Sequence, residues 1–118
     1  MESPVLCART DHSIGAVIVT ISGPLTTCDE IGALQDTLAT LPRDYSLVVE
    51  LDAMTTLSAT SLRCLREFAV HAIEAGVRLL LVSESLDVRA NLVLSDLDSL
   101  APVLHNLAQA TNILAAAA

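Results

Sequence analysis

Ser46-Leu47-Val48-Val49-Glu50-Leu51-Asp52-Ala53-Met54-Thr55-Thr56-Leu57-Ser58-Ala59-Thr60-Ser61-Leu62 changes character twice. Its first seven residues are mostly Val and Leu, the composition of a buried strand. Thr55, Thr56, Ser58, Thr60 and Ser61 then crowd hydroxyls into a short turn. Beyond it, Leu62, Leu65, Ala69, Ala72 and Ile73 recur at helical spacing. Gly76 follows in the position glycine favours past a helix end. A strand, a hydroxyl-rich turn and a helix form one unit of an α/β fold.

The same alternation extends in both directions. Upstream, Ala16–Ser22 is β-branched and apolar, and Gly23-Pro24 stops it. From Thr27, Ile31, Leu34, Leu38 and Leu41 mark a helix, with Asp29 and Glu30 favourably placed in its first turn and Pro42 at its end. Downstream, Arg78–Ser83 is a third strand and Leu86–Leu94 a short helix. Pro102-Val103 reads as a short edge strand, and Asn106–Ala117 as a last helix with Leu107, Ala110, Ile113 and Leu114 inward. The residues before Thr10 supply a further edge strand. Strands alternating with helices imply right-handed crossovers and a largely parallel sheet. The expected fold class is α/β: a four- to five-stranded mixed sheet with about four helices, mainly on one face. One domain is expected over 1–118, with its core at about 5–114 and a fraying alanine tail at 115–118.

At 118 residues and 53% hydrophobic, the chain is one domain's worth of material. It is long enough to bury about two-thirds of its unfolded surface without metal or disulfide support. Only 17% of residues are charged, which excludes a disordered acidic tail. With one Tyr, one Phe and no Trp, the core is aliphatic. Fourteen acids against six bases, all Arg, give a net charge of −8. Nucleic acid and anionic membranes are therefore not expected partners, whereas a protein with a basic face suits this field. No apolar stretch reaches the ~20 residues of a membrane span. Met1-Glu2-Ser3-Pro4 has no basic stretch of the secretory type, so a cytoplasmic location is expected.

Cys7, Cys28 and Cys64 are odd in number and form no CxxC pair, so reduced thiols are expected, buried as small hydrophobes. His12, His71 and His105 have no ligand spacing, and no metal or cofactor is expected. Gly15, Gly23, Gly32 and Gly76 are isolated, so no phosphate-cradling loop exists, and no nucleophile elbow occurs. Glu50 and Asp52 share a strand face, but read as a solvated side chain and a loop cap rather than an acid–base pair. Asp96 and Asp98 read as turn residues. No catalytic residue is expected. An enzyme built on Asp52 and the hydroxyls would need a concave site that nothing in the sequence announces.

The hydroxyl cluster bears on function in two ways. Ser58 is the natural N-cap of the following helix. The same helix start stabilises a phosphate, so a hydroxyl in its first turn suits a reversible charge switch. Cys64, Phe68 and His71 form a second stripe on that helix, either packed under a neighbouring helix or exposed as an apolar patch for a partner. A thiol switch at Cys64 depends on its exposure.

The order of elements resembles a STAS domain (sulphate transporter and anti-sigma factor antagonist) over roughly Val5–Leu114, specifically a free-standing anti-sigma factor antagonist. The resemblance rests on Ser22-Gly23-Pro24-Leu25-Thr26, on Val48–Leu62, and on Ala75-Gly76-Val77-Arg78-Leu79-Leu80-Leu81-Val82. It implies a protein that binds and sequesters an anti-sigma factor, often itself a Ser/Thr kinase, and that is released by phosphorylation. The family's phosphoacceptor falls on Thr60, with Ser58 and Ser61 as lesser alternatives. The motif is divergent: the family's Asp is Ser58, its first Ser is Ala59, its Gly is Ser61, and the acid of the early turn is Thr26. The partner contacts it implies are Thr26, Ser58, Thr60, Ser61, Arg63 and Cys64, on a monomer or weak dimer. The alternative is a STAS scaffold or sensor subunit of a larger signalling assembly, without the phosphoswitch.

Overall fold

The computed structural model describes residues 5–52 and 55–116. Met1–Pro4, Ala53 and Met54 of the central turn, and the last two residues of the alanine tail lie outside them. The strands are β1 (Val5–Asp11), β2 (Ala16–Ser22), β3 (Pro24–Leu25), β4 (Ser46–Leu51), β5 (Thr56–Leu57), β6 (Leu79–Val82) and β7 (Val103–Leu104). The helices are α1 (Asp29–Ala39), α2 (Ala59–Glu74), α3 (Leu86–Leu94) and α4 (Leu107–Ala116), with a 3-10 turn at Leu97–Ser99.

Five strands form one sheet in the order β1-β2-β4-β6-β7. β1 runs antiparallel to β2, and the other neighbours pair in parallel. The expected mixed sheet is therefore present, and both edge strands are where the sequence places them. β3 and β5 were not anticipated: they pair in parallel as a separate two-residue ladder, Pro24 opposite Thr56 and Leu25 opposite Leu57. Such a pairing has no length over which a period could be read.

β4 is central and has no solvated face. Leu47, Val48, Val49 and Leu51 are fully buried. Val17, Val19, Ile21, Leu47, Val49, Leu51, Leu79 and Leu81 project to the side covered by α1, α2 and α3. Ala16, Ile18, Val48, Leu80 and Val82 meet Ala110 and Leu114 of α4 on the other. Three helices on one face and one on the other match the expected arrangement. Glu50 departs from expectation: it is half-buried and accepts a hydrogen bond of 3.0 Å from Thr20 Oγ1, its register partner on β2.

Local chemistry sets the ends of these elements. Gly76 sits at φ +76° just past α2, a conformation that costs glycine little. The β1–β2 turn is held by Asp11, whose carboxylate accepts from both the hydroxyl and the backbone N–H of Ser13. The Ser13 hydroxyl holds the Asp11 carboxyl below the usual carboxylate range. Its support for the turn is thus present at neutral pH and is lost as pH falls through that depressed pKa.

The expectation of three reduced thiols buried as small hydrophobes is corrected for pairing at Cys28 and Cys64 and for burial at Cys7 and Cys28, which are exposed. Cys28 and Cys64 are joined as a disulfide, with Cα atoms 5.6 Å apart, and Cys7 remains a free, exposed thiol. The pair is 36 residues apart in sequence. It meets because α1 and α2 pack side by side on one sheet face. Cys64 and Phe68 of the expected second stripe are buried in the main core, whereas His71, its third member, is exposed. Truncating the chain's one Phe leaves a large void in the main core. Phe68→Ala should cost about 3–5 kcal/mol in a denaturant titration, whereas Leu86→Ala, at an exposed site, should cost less than ~0.5 kcal/mol.

Candidate functional site: the hydroxyl corner at the start of α2

Parallel strands deliver their outgoing turns to one edge of the sheet, the edge where binding sites of α/β folds collect. The turns after β2 and β4 emerge together there and are stitched to one another. The backbone N–H of Ser58 donates to Leu25 O at 3.2 Å, and Ser58 Oγ donates to Thr26 O, also at 3.2 Å. Below them, Thr55 is buried and its hydroxyl donates to Ile21 O at 2.9 Å, anchoring the turn to the end of β2.

Ser58 caps α2, as its position in the sequence suggests. Its Oγ accepts from Ser61 N at 3.0 Å, while its own N–H donates to Ser61 Oγ at 2.9 Å. The result is a reciprocal capping box in which Ser61 does what Glu or Gln usually does. Ser61 Oγ also donates to Ser58 O at 3.0 Å. The start of α1 is tied differently: Cys28 makes no side-chain cap, and Glu30 reaches back to accept from the N–H groups of Thr26 and Thr27 at 2.6 and 2.9 Å.

Thr60 lies between the two capping serines and is exposed. Its hydroxyl takes no part in the cap. It occupies the second position of a 16-residue helix whose first turn holds no acid, next to unpaired backbone donors and the positive end of the helix dipole. Thr26 and Arg63 are also exposed, and Ser58 is half-buried. A hollow of about 330 Å³ runs on along α2, lined by Arg63, Arg66, Glu67, Val70 and His71. Arg66 is partly engaged, donating from Nη1 to Ser95 O at 3.1 Å.

The structure therefore brings Thr26, Ser58, Thr60 and Arg63 to one corner. Two expected contacts are corrected by burial. Ser61 is fully buried, its hydroxyl used by the cap, so it offers neither contact surface nor an open phosphoacceptor. Cys64 is 6% exposed and bonded to Cys28. Helical geometry is the reason, since successive residues on α2 point about 100° apart and Thr60 and Ser61 face different surroundings.

A second surface went unread in the sequence. Leu86, Val93 and Leu94 of α3 are exposed and line a hollow of about 590 Å³ together with Arg89, Asp98, Val103 and His105. The signal was present: Leu86, Ala90, Val93 and Leu94 follow helical spacing on one face, while Val88 and Leu92 serve the core on the other. Among the described residues, no helix is long and apolar enough to cross a membrane, and no group of three His, Cys, Asp or Glu side chains is placed to hold a metal ion.

With this fold and corner in view, comparison with known families is decisive at one level. Residues 8–110 match the family model of the STAS domain, and the chain belongs to that family. Membership supports a general role as an anti-sigma factor antagonist or a STAS scaffold, in a family whose members are generally not enzymes. A comparison with curated proteins gives no match.

The division of labour among adjacent hydroxyls has a measurable consequence. Ser58→Ala should destabilise the fold by about 1–2 kcal/mol, the usual cost of a lost N-cap. Thr60→Ala should change it by less than ~0.5 kcal/mol, since it is a surface replacement outside the cap. Urea denaturation of the two variants checks the contrast.

Proposed function

We propose that the chain is a cytoplasmic anti-sigma factor antagonist. It docks the corner of Thr26, Ser58, Thr60 and Arg63 against an anti-sigma factor and sequesters it. Phosphate written onto Thr60 by a Ser/Thr kinase ends the association. The supporting observation is that Thr60 alone of the first-turn hydroxyls is exposed and unused by the cap. It accepts a phosphate without loss of the helix start, and the helix dipole tolerates the added charge.

A phosphate adds nearly two negative charges at the centre of the contact. Burying a doubly charged group against a surface shaped for a hydroxyl costs several kcal/mol unless cations meet it. The effect is a switch in affinity with no change of fold. The antagonist acts as a monomer or weak dimer.

The exposed Leu86, Val93 and Leu94 favour a second reading, in which the domain is a scaffold subunit held in a larger assembly by α3. Solution mass separates the two: a large homo-assembly supports the scaffold, a monomer or dimer the antagonist.

Incubation with the cognate kinase and ATP should add one phosphate, located on Thr60 by mass spectrometry, and Thr60→Ala should abolish it. Thr60→Glu should weaken binding to the anti-sigma factor at least about tenfold, the equivalent of roughly 1.4 kcal/mol, with an unchanged circular dichroism spectrum. Absence of the mass gain, together with full binding by Thr60→Glu, removes the switch.

A further inference from the structure

The Cys28–Cys64 bond crosses the seam between α1 and α2 immediately beside the docking corner. Cys28 is the N-cap residue of α1 and follows Thr26 and Thr27 directly. Cys64 lies one helical turn beyond Thr60. The two sulfurs differ in access: Cys28 is exposed and Cys64 is buried. Both line a hollow of about 170 Å³ together with Ile31, Gly32, Gln35, Glu67 and His71. A Cβ built on Gly32 meets nothing within 4 Å, so the hollow has room at that side. Gln35 Nε2 lies 3.1 Å from His71 Nδ1, which orients the imidazole at the rim.

We propose that Cys28 and Cys64 form a reversible thiol–disulfide site, exchanging with low-molecular-weight disulfides through this hollow and setting the rigidity of the docking corner. The proposal rests on the cytoplasmic antagonist reading, because disulfides in that compartment are seldom permanent and chiefly serve redox sensing or catalysis. The access pattern suits an attacking thiol and a resolving thiol. In the oxidising direction the Cys28 thiolate attacks one sulfur of RSSR and expels RS⁻. The buried Cys64 thiolate then attacks Cys28 Sγ in the mixed disulfide and expels the second RS⁻. Two electrons pass to RSSR, and the two thiol protons leave on two RSH, with His71 at hand to carry them.

The oxidised bond fastens the segment that begins α1 to the first turns of α2. In the reduced state that segment keeps the Glu30 cap, the Ser58–Thr26 hydrogen bond and the short β3–β5 ladder, but loses its covalent tie. The reduced corner is looser, and ordering it on docking lowers affinity for the partner.

The test uses the full chain in graded ratios of reduced to oxidised glutathione, quenched with N-ethylmaleimide. Peptide mass spectrometry should show a Cys28–Cys64 crosslink with neither residue alkylated at the oxidising end and both alkylated at the reducing end, reversibly and with native circular dichroism throughout. Amide exchange around residues 26–31 and 58–64 should quicken on reduction. Gly32→Leu, which adds bulk at the rim of the hollow, should slow the exchange severalfold. A bond that opens only after denaturation, thiols that never pair under oxidised glutathione, or unchanged amide exchange on reduction each overturn the proposal. Binding of the anti-sigma factor is then compared in both states, with an expected loss of about fivefold on reduction. Equal affinity in the two states overturns the control of docking. Binding in neither state overturns the antagonist reading instead, while alkylation and amide exchange still decide the thiol site.

Discussion

β4 has no face left for water, and the rest of the molecule answers that constraint. Leu47, Val48, Val49 and Leu51 are all fully buried, each contributing about 1.5–3 kcal/mol when removed from solvent. A strand of this kind needs neighbours on both edges and cover on both faces. β2 and β6 supply the edges, α1, α2 and α3 one cover, and α4 the other. Parallel pairing adds a directional consequence. Every strand–helix turn after β2, β4 and β6 must leave at the same end of the sheet, and so the turns around Thr26 and Ser58 meet there.

What happens at that meeting point depends on three hydroxyl positions, Ser58, Thr60 and Ser61. Ser58 and Ser61 saturate one another and complete the cap, and Ser58 also holds the neighbouring turn through Thr26 O. Thr60, a single step of the helix away from Ser61, is left in water. The contrast with α1 is chemical: its first turn carries Asp29 and Glu30, whereas that of α2 carries no acid. Negative charge is already supplied at one helix start and is wanting at the other. Thr60 thus stands at a helix start with no acid of its own and outside the cap that holds that start.

The seam between α1 and α2 links the corner to the core. Phe68 fills it from below, the Cys28–Cys64 bond closes it near the surface, and Gln35 with His71 lies at its rim.

The elements themselves were legible because their signals are local. The apolar spacing of α2, the Gly76 stop, the cap at Ser58 and the span of α3 all lie within a few residues of one another, and the structure returns them with little change. β3 and β5 were too short to carry a period, and Glu50 looked solvated until Thr20 was placed beside it. The order of the chain was enough to establish alternating strands and helices, an aliphatic core and a hydroxyl-rich helix start. Which of those hydroxyls faces water, and which two of three sulfurs meet, follows from how α1 and α2 settle against the sheet. Contacts between segments 36 residues apart are a product of packing, which no local period records.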